Sequence, residues 1–461
     1  MKKLLSALCF SLLAFAAGAQ QYIPALMQRD VIPGLAFALI EKGKISKEQV
    51  FGILNDSSKA PVTPTSLFEA ASLTKVVTAY AALKMVDAGT LDLDKPLTGY
   101  LGNNYDVGDD ARLVNVTARR VLSHSAGFPN WREDREGGKL PILFTPGERF
   151  NYSGEGFVML SRVMEHLTGK KIEVIVKEMV FTPLHMEHSS FVFEESHRAA
   201  YAFRHRWNGK KQGLADYPHA NAAASMRTTA HDYALFICAI LNGTGLQKKT
   251  RDAMFTPQIK VEANDPKATI HWGLGVGLEV DPTARYCWHW GDQGDAKALF
   301  VANIDTKKGF VYFTNSANGL SIAQDVMDEV FGKGQHDIAK WVGYGKFNPN
   351  LITFMQEVEK EGATKAVANY KQAGIKSLNE NNMNTLGYYY LNEKKFDDAI
   401  TIFELMTFQY PNSSNAFDSL AEGYATAGKR EQAITYYEKA IQLDPNNTNS
   451  IQMLKKLKAS K

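Results

Sequence analysis

The chain has 461 residues, 45% of them hydrophobic and 22% charged, which excludes disorder, collagen and coiled coil as descriptions of the whole chain. Its 52 Lys and Arg residues against 49 Asp and Glu residues give a formal net charge of +3, with no basic stripe, so we expect no nucleic-acid partner. The length allows about two or three domains.

Residues 1–19 predict an export signal. Lys2 and Lys3 precede an apolar run from Leu4 to Ala17, and small residues follow where a signal peptidase would cut. The run is too short to span a bilayer, and no later stretch reaches about 18 apolar residues. We therefore expect a periplasmic or secreted protein without an integral membrane segment in its mature chain. A buried N-terminal helix is the alternative.

The hydrophobic patterns of residues 20–335 predict a single folded domain. A strand and turn at 33–44 has its partner strand at 50–54, and the broad apolar face of 72–88 predicts a helix that stops at Gly89. A long middle section mixes helical patterns with loops. Further helices are expected at 156–167, 230–241 and 322–331, and further strands at 273–280, 298–304 and 309–315. Strands at both ends of one region predict one sheet, whose outer strands come from both ends, with an inserted helical lobe.

Residues 346–461 carry a repeat with a period of 34 residues. The positions Leu386, Gly387, Tyr390, Ala399, Phe403 and Pro411 recur as Leu420, Ala421, Tyr424, Ala433, Tyr437 and Pro445. This is the period of tetratricopeptide repeats, which are pairs of antiparallel helices. Ala366 and Tyr370 indicate a degenerate earlier unit, and 448–461 predicts a cap helix. Since about three repeats are needed to bury a continuous face, we expect the array to dock on the preceding domain or on a protein partner.

Cysteine and histidine usage indicates neither a disulfide framework nor a metal site. A free buried thiol is expected for Cys238, and a disulfide with Cys287 is the alternative. His185 and His188 lie in a loop-like stretch without a third ligand, so we expect surface histidines there. No metal and no organic cofactor is implied.

Ser72-Leu73-Thr74-Lys75 is the only Ser-x-x-Lys sequence in the chain. At the start of a helix, Ser72 would meet free N–H groups and a dipole that favour developing negative charge. Lys75 lies one turn along on the same face, and apolar neighbours could lower its proton affinity enough to activate a hydroxyl. An N-cap serine and a surface lysine are the alternative.

Two later segments present groups that could complete a site. The loop that precedes the predicted helix at 156–167 presents Tyr152, a candidate base if it lies beside a lysine; a packed aromatic is the alternative. The run His289-Trp290-Gly291-Asp292 precedes a strand that could pair with an acyl group, and its glycine would permit close approach of a substrate backbone. An ordinary half-buried histidine is the alternative for His289.

These segments together resemble the serine β-lactamase and penicillin-recognising hydrolase superfamily, in its class C β-lactamase, D-Ala-D-Ala carboxypeptidase and esterase branch. The resemblance spans roughly residues 22–335. It is carried by Ser72–Lys75, Leu122–Pro129, Thr145–Gly147 with Phe150 and Tyr152-Ser153, and His289–Gly291, with support from Ala223–Asp232 and Trp272–Gly275. It implies an α/β (α+β) fold, with an antiparallel sheet, flanking helices and a helical lobe, over residues 20–335.

The resemblance also implies roles for the site residues. Ser72 would be the acylated nucleophile, and Lys75 and Tyr152 would share the proton transfers. His289 would occupy the cationic site on the strand that edges the cleft, while Trp290, Gly291, Asp292 and Gly154 would contact substrate. The backbone N–H groups of Ser72 and Asp292 would form the oxyanion hole. His124 would support its loop without acting in catalysis.

Two departures from the family pattern narrow the expected activity. The family's Tyr-x-Asn is Tyr152-Ser153-Gly154 here, so an amide that binds substrate and lysine is absent. The Lys-Thr-Gly of class C β-lactamases is His289-Trp290-Gly291, and a histidine that is mostly neutral near pH 7 grips a carboxylate less firmly than lysine does. We therefore expect a serine hydrolase of esters or amides, peptidase- or esterase-like more than an efficient β-lactamase, with D-amino-acid peptides as candidate substrates. The alternative is a β-lactamase-fold scaffold without turnover that binds a partner through its repeats.

Overall fold

The computed structural model describes residues 22–102, 106–132, 138–214, 216–265, 267–334, 336–343, 347–374 and 377–459. The predicted signal peptide at 1–19 lies outside these residues. The chain divides into two compact units with the boundary between Phe347 and Asn348. Within the described ranges, no helix is both long enough and apolar enough to cross a membrane.

The strands of the first unit confirm the predicted antiparallel sheet. In chain order they are β1 (Gly34–Glu41), β2 (Lys44–Gly52), β3 (Phe68–Glu69), β4 (Arg227–Thr228), β5 (Ile259–Lys260), β6 (Ile270–Trp272), β7 (Gly277–Val280), β8 (Arg285–Asp292), β9 (Lys297–Asn303) and β10 (Lys308–Thr314). Eight of them form one sheet in the order β2-β1-β10-β9-β8-β7-β6-β5, with antiparallel neighbours throughout. The N-terminal strand β1 pairs with the C-terminal strand β10, so one sheet joins strands from both ends of the unit, as predicted. Its outer strands are β2 and β5, so the prediction that the outer strands come from both ends is wrong for β5.

Two strand bounds differ from the prediction because of local turns. Lys42 and Gly43 have φ values of 53° and 72°, a turn of the type that closes two-residue hairpins, so β2 begins at Lys44 and not at residue 50. The strand predicted at 273–280 is interrupted at Gly275, whose φ is 85°. A Cβ there would lie 2.1 Å from the Cβ of Ala79, so the chain turns at this point and β7 starts at Gly277.

Helices cover both faces of the sheet. In chain order they are α1 (22–29), α2 (Thr74–Asp87), α3 (Thr98–Leu101), α4 (Ala118–Leu122), α5 (Gly154–Thr168), α6 (Ile172–Val176), α7 (Ala230–Asn242), α8 (Lys248–Met254), α9 (Ala323–Phe331) and α10 (Asp337–Val342). The alternation along β10 shows the two layers. Val311 and Phe313 face the cluster that contains α2, α5 and α7, whereas Phe310 and Tyr312 face α1, α9 and α10.

Helix α2 is the central helix of the first unit. Its residues from Thr74 to Leu83 are all buried, so it lies inside the larger cluster and not on its surface. A helix that is buried all round needs apolar residues on every side, which its sequence supplies. Lys75 is the one charged side chain among these buried residues from Thr74 to Leu83.

The second unit confirms the predicted tetratricopeptide-like array. Its helices are α11 (Pro349–Glu361), α12 (Ala363–Gln372), α13 (Glu380–Asn392), α14 (Phe396–Gln409), α15 (Ser414–Thr426), α16 (Arg430–Leu443) and α17 (Thr448–Ala459). The pair α13–α14 and the pair α15–α16 start 34 residues apart, at Glu380 and Ser414. The pair α11–α12 supplies the degenerate earlier unit, and α17 is the predicted cap helix.

In the helical repeat, the ring of Phe403 packs against two glycines, Gly387 and Gly423. A Cβ at Gly387 would lie 2.3 Å from this buried ring, whereas a Cβ at Gly423 would lie 3.1 Å away on its other side. We expect Gly387→Ala to lower the free energy of unfolding by about 1–3 kcal/mol through overpacking. Gly423→Ala serves as the matched control, because its milder contact is offset by a gain in helix propensity of up to ~1 kcal/mol.

Urea unfolding of the full chain, followed by far-ultraviolet circular dichroism, measures both variants. Equal effects of the two substitutions would contradict this account of the packing.

Candidate active site

Ser72 lies in a strained turn that runs directly into α2. The turn is a 3-10 helix, Ala71–Leu73, and Ala71 has a φ of 48°, which costs an L-residue of order 1 kcal/mol or more. Flanking hydrogen bonds hold the turn: the Ala70 N–H donates to the Met226 carbonyl oxygen at 2.9 Å, and the Tyr233 hydroxyl donates to the Leu73 carbonyl oxygen at 3.0 Å. Ser72 itself is only partly buried, so its hydroxyl sits at a fixed and reachable position.

Lys75 is fully buried beside this hydroxyl. Its Nζ lies 3.1 Å from Ser72 Oγ and donates to the Ala223 carbonyl oxygen at 2.9 Å. Desolvation by burial lowers the pKa of Lys75 from its usual value to about 7. A large fraction of the amine is therefore neutral at physiological pH and able to accept a proton. The alternative of a surface lysine is wrong.

The ring of Tyr152 also lies beside the Lys75 amine. The lysine Nζ lies 4.8 Å from the centre of the Tyr152 ring, which also packs on His124 at 4.3 Å and Trp290 at 4.9 Å between ring centres. The structure thus brings Ser72, Lys75 and Tyr152 together, although they are distant along the chain. An ammonium over an aromatic face is attracted by the ring, so Tyr152 also favours the protonated form of Lys75.

His124 fixes the loop that presents Tyr152, in the supporting position that the sequence predicts. Its carbonyl oxygen accepts from the Asn151 N–H at 2.7 Å, and its Nδ1 accepts from the Ser153 N–H at 3.0 Å. These bonds clamp the backbone on both sides of Tyr152. Burial, and then the charge of Lys75, holds the pKa of His124 well below its usual value, so the ring is neutral.

His289 is neutral, so the position that is cationic in the family carries no positive charge here. It is fully buried in β8, and its Nδ1 lies 2.8 Å from the Trp290 carbonyl oxygen, which assigns the ring N–H to Nδ1. Burial and then the nearby Lys75 lower the pKa of His289 to about 3. The ring therefore supplies no positive charge for a substrate carboxylate. It offers Nε2 as a hydrogen-bond acceptor instead.

Gly291, in the same segment, is required by a packing contact that the sequence did not predict. A Cβ on Gly291 would lie 2.5 Å from the Ala70 carbonyl oxygen and 3.1 Å from the Ala71 Cβ. Gly291 thus permits close approach of β8 to the turn that carries Ser72. Its neighbour Asp292 forms an ion pair with Lys297 of β9 and accepts from the Gly294 N–H at 2.8 Å.

Gly154 is covered by an aromatic side chain that the sequence did not single out. Gly154 begins α5, and a Cβ there would lie 2.6–2.9 Å from three ring atoms of Trp131. The helix start is capped by Ser153, whose Oγ accepts from the Gly156 N–H at 3.0 Å. Where the resemblance places an amide side chain, this chain therefore has the ring of Trp131.

The sequence did not predict the presence of two groups at the site, the Ala223 carbonyl oxygen and the Trp131 ring. Ala223 acts through its backbone oxygen, which no side-chain pattern reveals. Trp131 follows the Leu122–Pro129 motif, but nothing in its spacing indicates that its ring returns to Gly154.

The other candidate sites are inert or unformed in the described residues. Cys238 is half-buried and Cys287 buried, and both thiols are free, so the alternative of a disulfide is wrong. Within the same ranges, no group of three His, Cys, Asp or Glu residues is arranged to hold a metal ion.

Two family sequence models match this chain, one in each of its two units. The sequence model of the Beta-lactamase family matches residues 19–328, and that of the Tetratricopeptide repeat matches residues 414–447. Penicillin-binding protein 4 of Amycolatopsis lactamdurans is 29% identical over 199 residues, which are 40% of this chain and 52% of that protein. Protein flp of Staphylococcus aureus (strain NCTC 8325 / PS 47) is 25% identical over 191 residues, 37% of this chain and 38% of that one. The chain thus spans about half of the first of these relatives and about two fifths of the second.

Two solved structures share the fold. The octameric penicillin-binding protein homologue from Pyrococcus abyssi has a TM-score of 0.61 at 22% identity, over 75% of this chain and 82% of that chain. D-alanine carboxypeptidase AmpC from Burkholderia cenocepacia has a TM-score of 0.55 at 19% identity, over 64% and 92% respectively. At these identities the likeness concerns the fold alone.

The buried Lys75 predicts a pH-dependent stability cost. The unfolded lysine keeps its proton up to a pKa of about 10.4, whereas the folded one loses it near 7, so the unfolded state binds more protons between these values. We expect Lys75→Met to raise the free energy of unfolding by about 2–4 kcal/mol at pH 7, and this gain to shrink as the pH rises towards 10.

Urea unfolding of both proteins at pH 7 and 9.5 measures the difference. Lys47→Met, at an exposed position of β2, controls for the loss of one positive charge. A gain that is constant or grows with pH would contradict the burial of a charged amine.

The close approach at Gly291 predicts a second effect. Gly291→Ala must push β8 away from the Ser72 turn, so we expect a loss of about 1–3 kcal/mol in stability together with slower acylation of Ser72. Gly213→Ala is the matched control, because a Cβ there has nothing within 4 Å and its φ is not positive. Thermal unfolding and the rate of labelling by a serine-directed probe measure the two effects. Wild-type labelling in folded Gly291→Ala would show that the contact is unnecessary.

Proposed function

Since this chain belongs to the Beta-lactamase family, a superfamily of serine hydrolases, we propose that it hydrolyses esters or amides through an acyl-enzyme on Ser72. The observation that carries the proposal is the pairing of Ser72 with a buried amine. Lys75 Nζ lies 3.1 Å from Ser72 Oγ, and its pKa is lowered to about 7 by burial. A general base is most effective when its pKa lies near the working pH.

Acylation follows from this geometry. Ser72 Oγ attacks the substrate carbonyl carbon while its proton passes to the pair formed by Lys75 and Tyr152. The oxyanion that develops accepts hydrogen bonds from the backbone N–H groups of Ser72 and Asp292. The bond from carbonyl carbon to the leaving oxygen or nitrogen then breaks, and the pair returns the proton to the leaving alcohol or amine. Because Lys75 and Tyr152 are in contact, we assign proton transfer to the two together.

Deacylation uses the same groups in reverse. A water molecule attacks the ester carbon on Ser72 and gives up one proton to the pair. Collapse of the second oxyanion breaks the bond to Ser72 Oγ, which regains that proton, and the acid is released. One water is consumed in each cycle, and the groups return to their initial state.

The surroundings of the pair favour a peptidase or esterase over an efficient β-lactamase. His289 is neutral, so it gives a substrate carboxylate little electrostatic attraction. Gly154 carries no amide to bind an acylamino group, and Trp131 fills its side. Penicillins carry a carboxylate, and so do peptides with a free C-terminal D-amino acid, which makes both poorer partners for this cleft than uncharged esters or amides.

We further propose export and a protein partner for the second unit. The pattern at residues 1–19 supports export to the periplasm or the medium, and the helical repeats support binding of a protein. A scaffold without turnover is the second candidate function, because the covered Gly154 removes a substrate contact. The buried and paired Lys75 favours the enzyme, since a binding surface gains nothing from the burial of an amine.

The nucleophile assignment predicts the outcome of active-site labelling. A fluorophosphonate probe is expected to form one adduct on the wild-type chain, and Ser72→Ala is expected to abolish it; Ser58→Ala, at an exposed serine, should label normally. Tyr152→Phe should slow hydrolysis of a p-nitrophenyl ester by about 100-fold or more, because one partner in proton transfer is lost.

Intact mass spectrometry reads the adduct, and release of p-nitrophenolate reads the turnover. Labelling that survives Ser72→Ala, or its absence on folded wild-type protein, would overturn the proposal. Labelling of Ser72 without Ser72-dependent turnover would favour the second candidate function, a scaffold without turnover.

A further inference from the structure

Trp131 is held rigidly against the start of α5. The Gly154 N–H donates to the backbone oxygen and to the side-chain oxygen of Asn130, each at 3.0 Å. On the other side, the Arg132 guanidinium pairs with the buried Glu155 carboxylate at 2.8 Å. Trp131 lies between these two anchors, so the position of its ring is set by both neighbours.

The ring of Trp131 reaches the catalytic amine only because residue 154 is a glycine. Any Cβ at Gly154 would lie within 2.6–2.9 Å of three atoms of its six-membered ring, which is closer than real contacts allow. In this position the ring centre lies 5.9 Å from Lys75 Nζ. Trp131 remains half-buried, so part of this residue is accessible from solvent.

A second tryptophan lies on the other side of the pair. Trp290 packs on Tyr152 with 4.9 Å between ring centres and is also half-buried. Trp131, Tyr152, Trp290 and the neutral ring of His289 thus place aromatic rings around Lys75, whose Nζ lies 3.1 Å from the Ser72 hydroxyl. An aromatic surface attracts planar apolar groups, and it leaves a carboxylate without the hydrogen bonds that it had in water.

We propose that Trp131 is a specificity-determining residue, which makes the surroundings of Lys75 aromatic and selects substrates whose acyl group is uncharged and apolar, aryl groups above all. This inference rests on the proposed function and names its substrate class. Acyl groups that carry a carboxylate are disfavoured in the same surroundings.

The test compares p-nitrophenyl phenylacetate with p-nitrophenyl hemisuccinate, which share a leaving group and differ in acyl chemistry. The measured quantity is the ratio of their kcat/KM values, each divided by its rate with hydroxide. We expect the wild-type ratio to exceed about 10, Trp131→Ala to lower it about tenfold, and Trp131→Phe to keep it within about threefold. A ratio within one protein is insensitive to the fraction of active enzyme.

Gly154→Ala tests the position of the Trp131 ring without altering Trp131. Its Cβ must displace the ring, so we expect the ratio to fall in the same direction. The inference is overturned if the wild-type enzyme prefers the hemisuccinate, or if both substitutions leave the ratio unchanged. Failure of the proposed function looks different, because hydrolysis of both esters would then survive Ser72→Ala.

Discussion

The burial of one amine next to one hydroxyl sets the requirements for the rest of the first unit. Lys75 has no exposed surface, and desolvation alone accounts for the lowered pKa of its side chain. Burial of a charge costs free energy of folding, so other contacts in the fold must offset the cost of burying Lys75. Helix α2 supplies those contacts, since apolar side chains from the sheet and from α5 and α7 enclose it on all sides.

The backbone around the pair is held by contacts that act over long stretches of sequence. The Thr78 hydroxyl donates to the Ala222 carbonyl oxygen at 2.8 Å, and the Met226 N–H donates to the Thr74 hydroxyl oxygen at 3.0 Å. These bonds fix α2 against the segment that contains Ala223, whose carbonyl oxygen accepts a hydrogen bond from the Lys75 amine. The strained φ at Ala71 is tolerated because the structure on both sides is fixed in this way.

The departures from the family pattern are mutually consistent. A neutral His289, an absent side chain at Gly154 and the ring of Trp131 all reduce the polarity of the cleft. Each alone is compatible with several substrates, but together they favour uncharged ones. In the proposed mechanism, the Lys75 and Tyr152 pair requires no charge on the substrate, so catalysis and selectivity would be set by separate groups.

The sequence by itself determined the features that depend on spacing along the chain. The 34-residue period predicted the paired helices of the second unit, and the short distance from Ser72 to Lys75 predicted that the two share one helical face. Hydrophobic periodicity placed α5 and α7 within two residues of their ends, because such periods report which face of an element is buried.

Only the tertiary structure decided the chemistry of the site. The full burial of His289, which lowers its pKa to about 3, the contact of Gly291 with the Ser72 turn and the position of Trp131 over Gly154 all depend on residues far apart in sequence. A pKa is set by the solvent and charges around a group, and a close approach is set by packing. Neither quantity leaves a periodic trace in one sequence, so these properties appear only once the chain is folded.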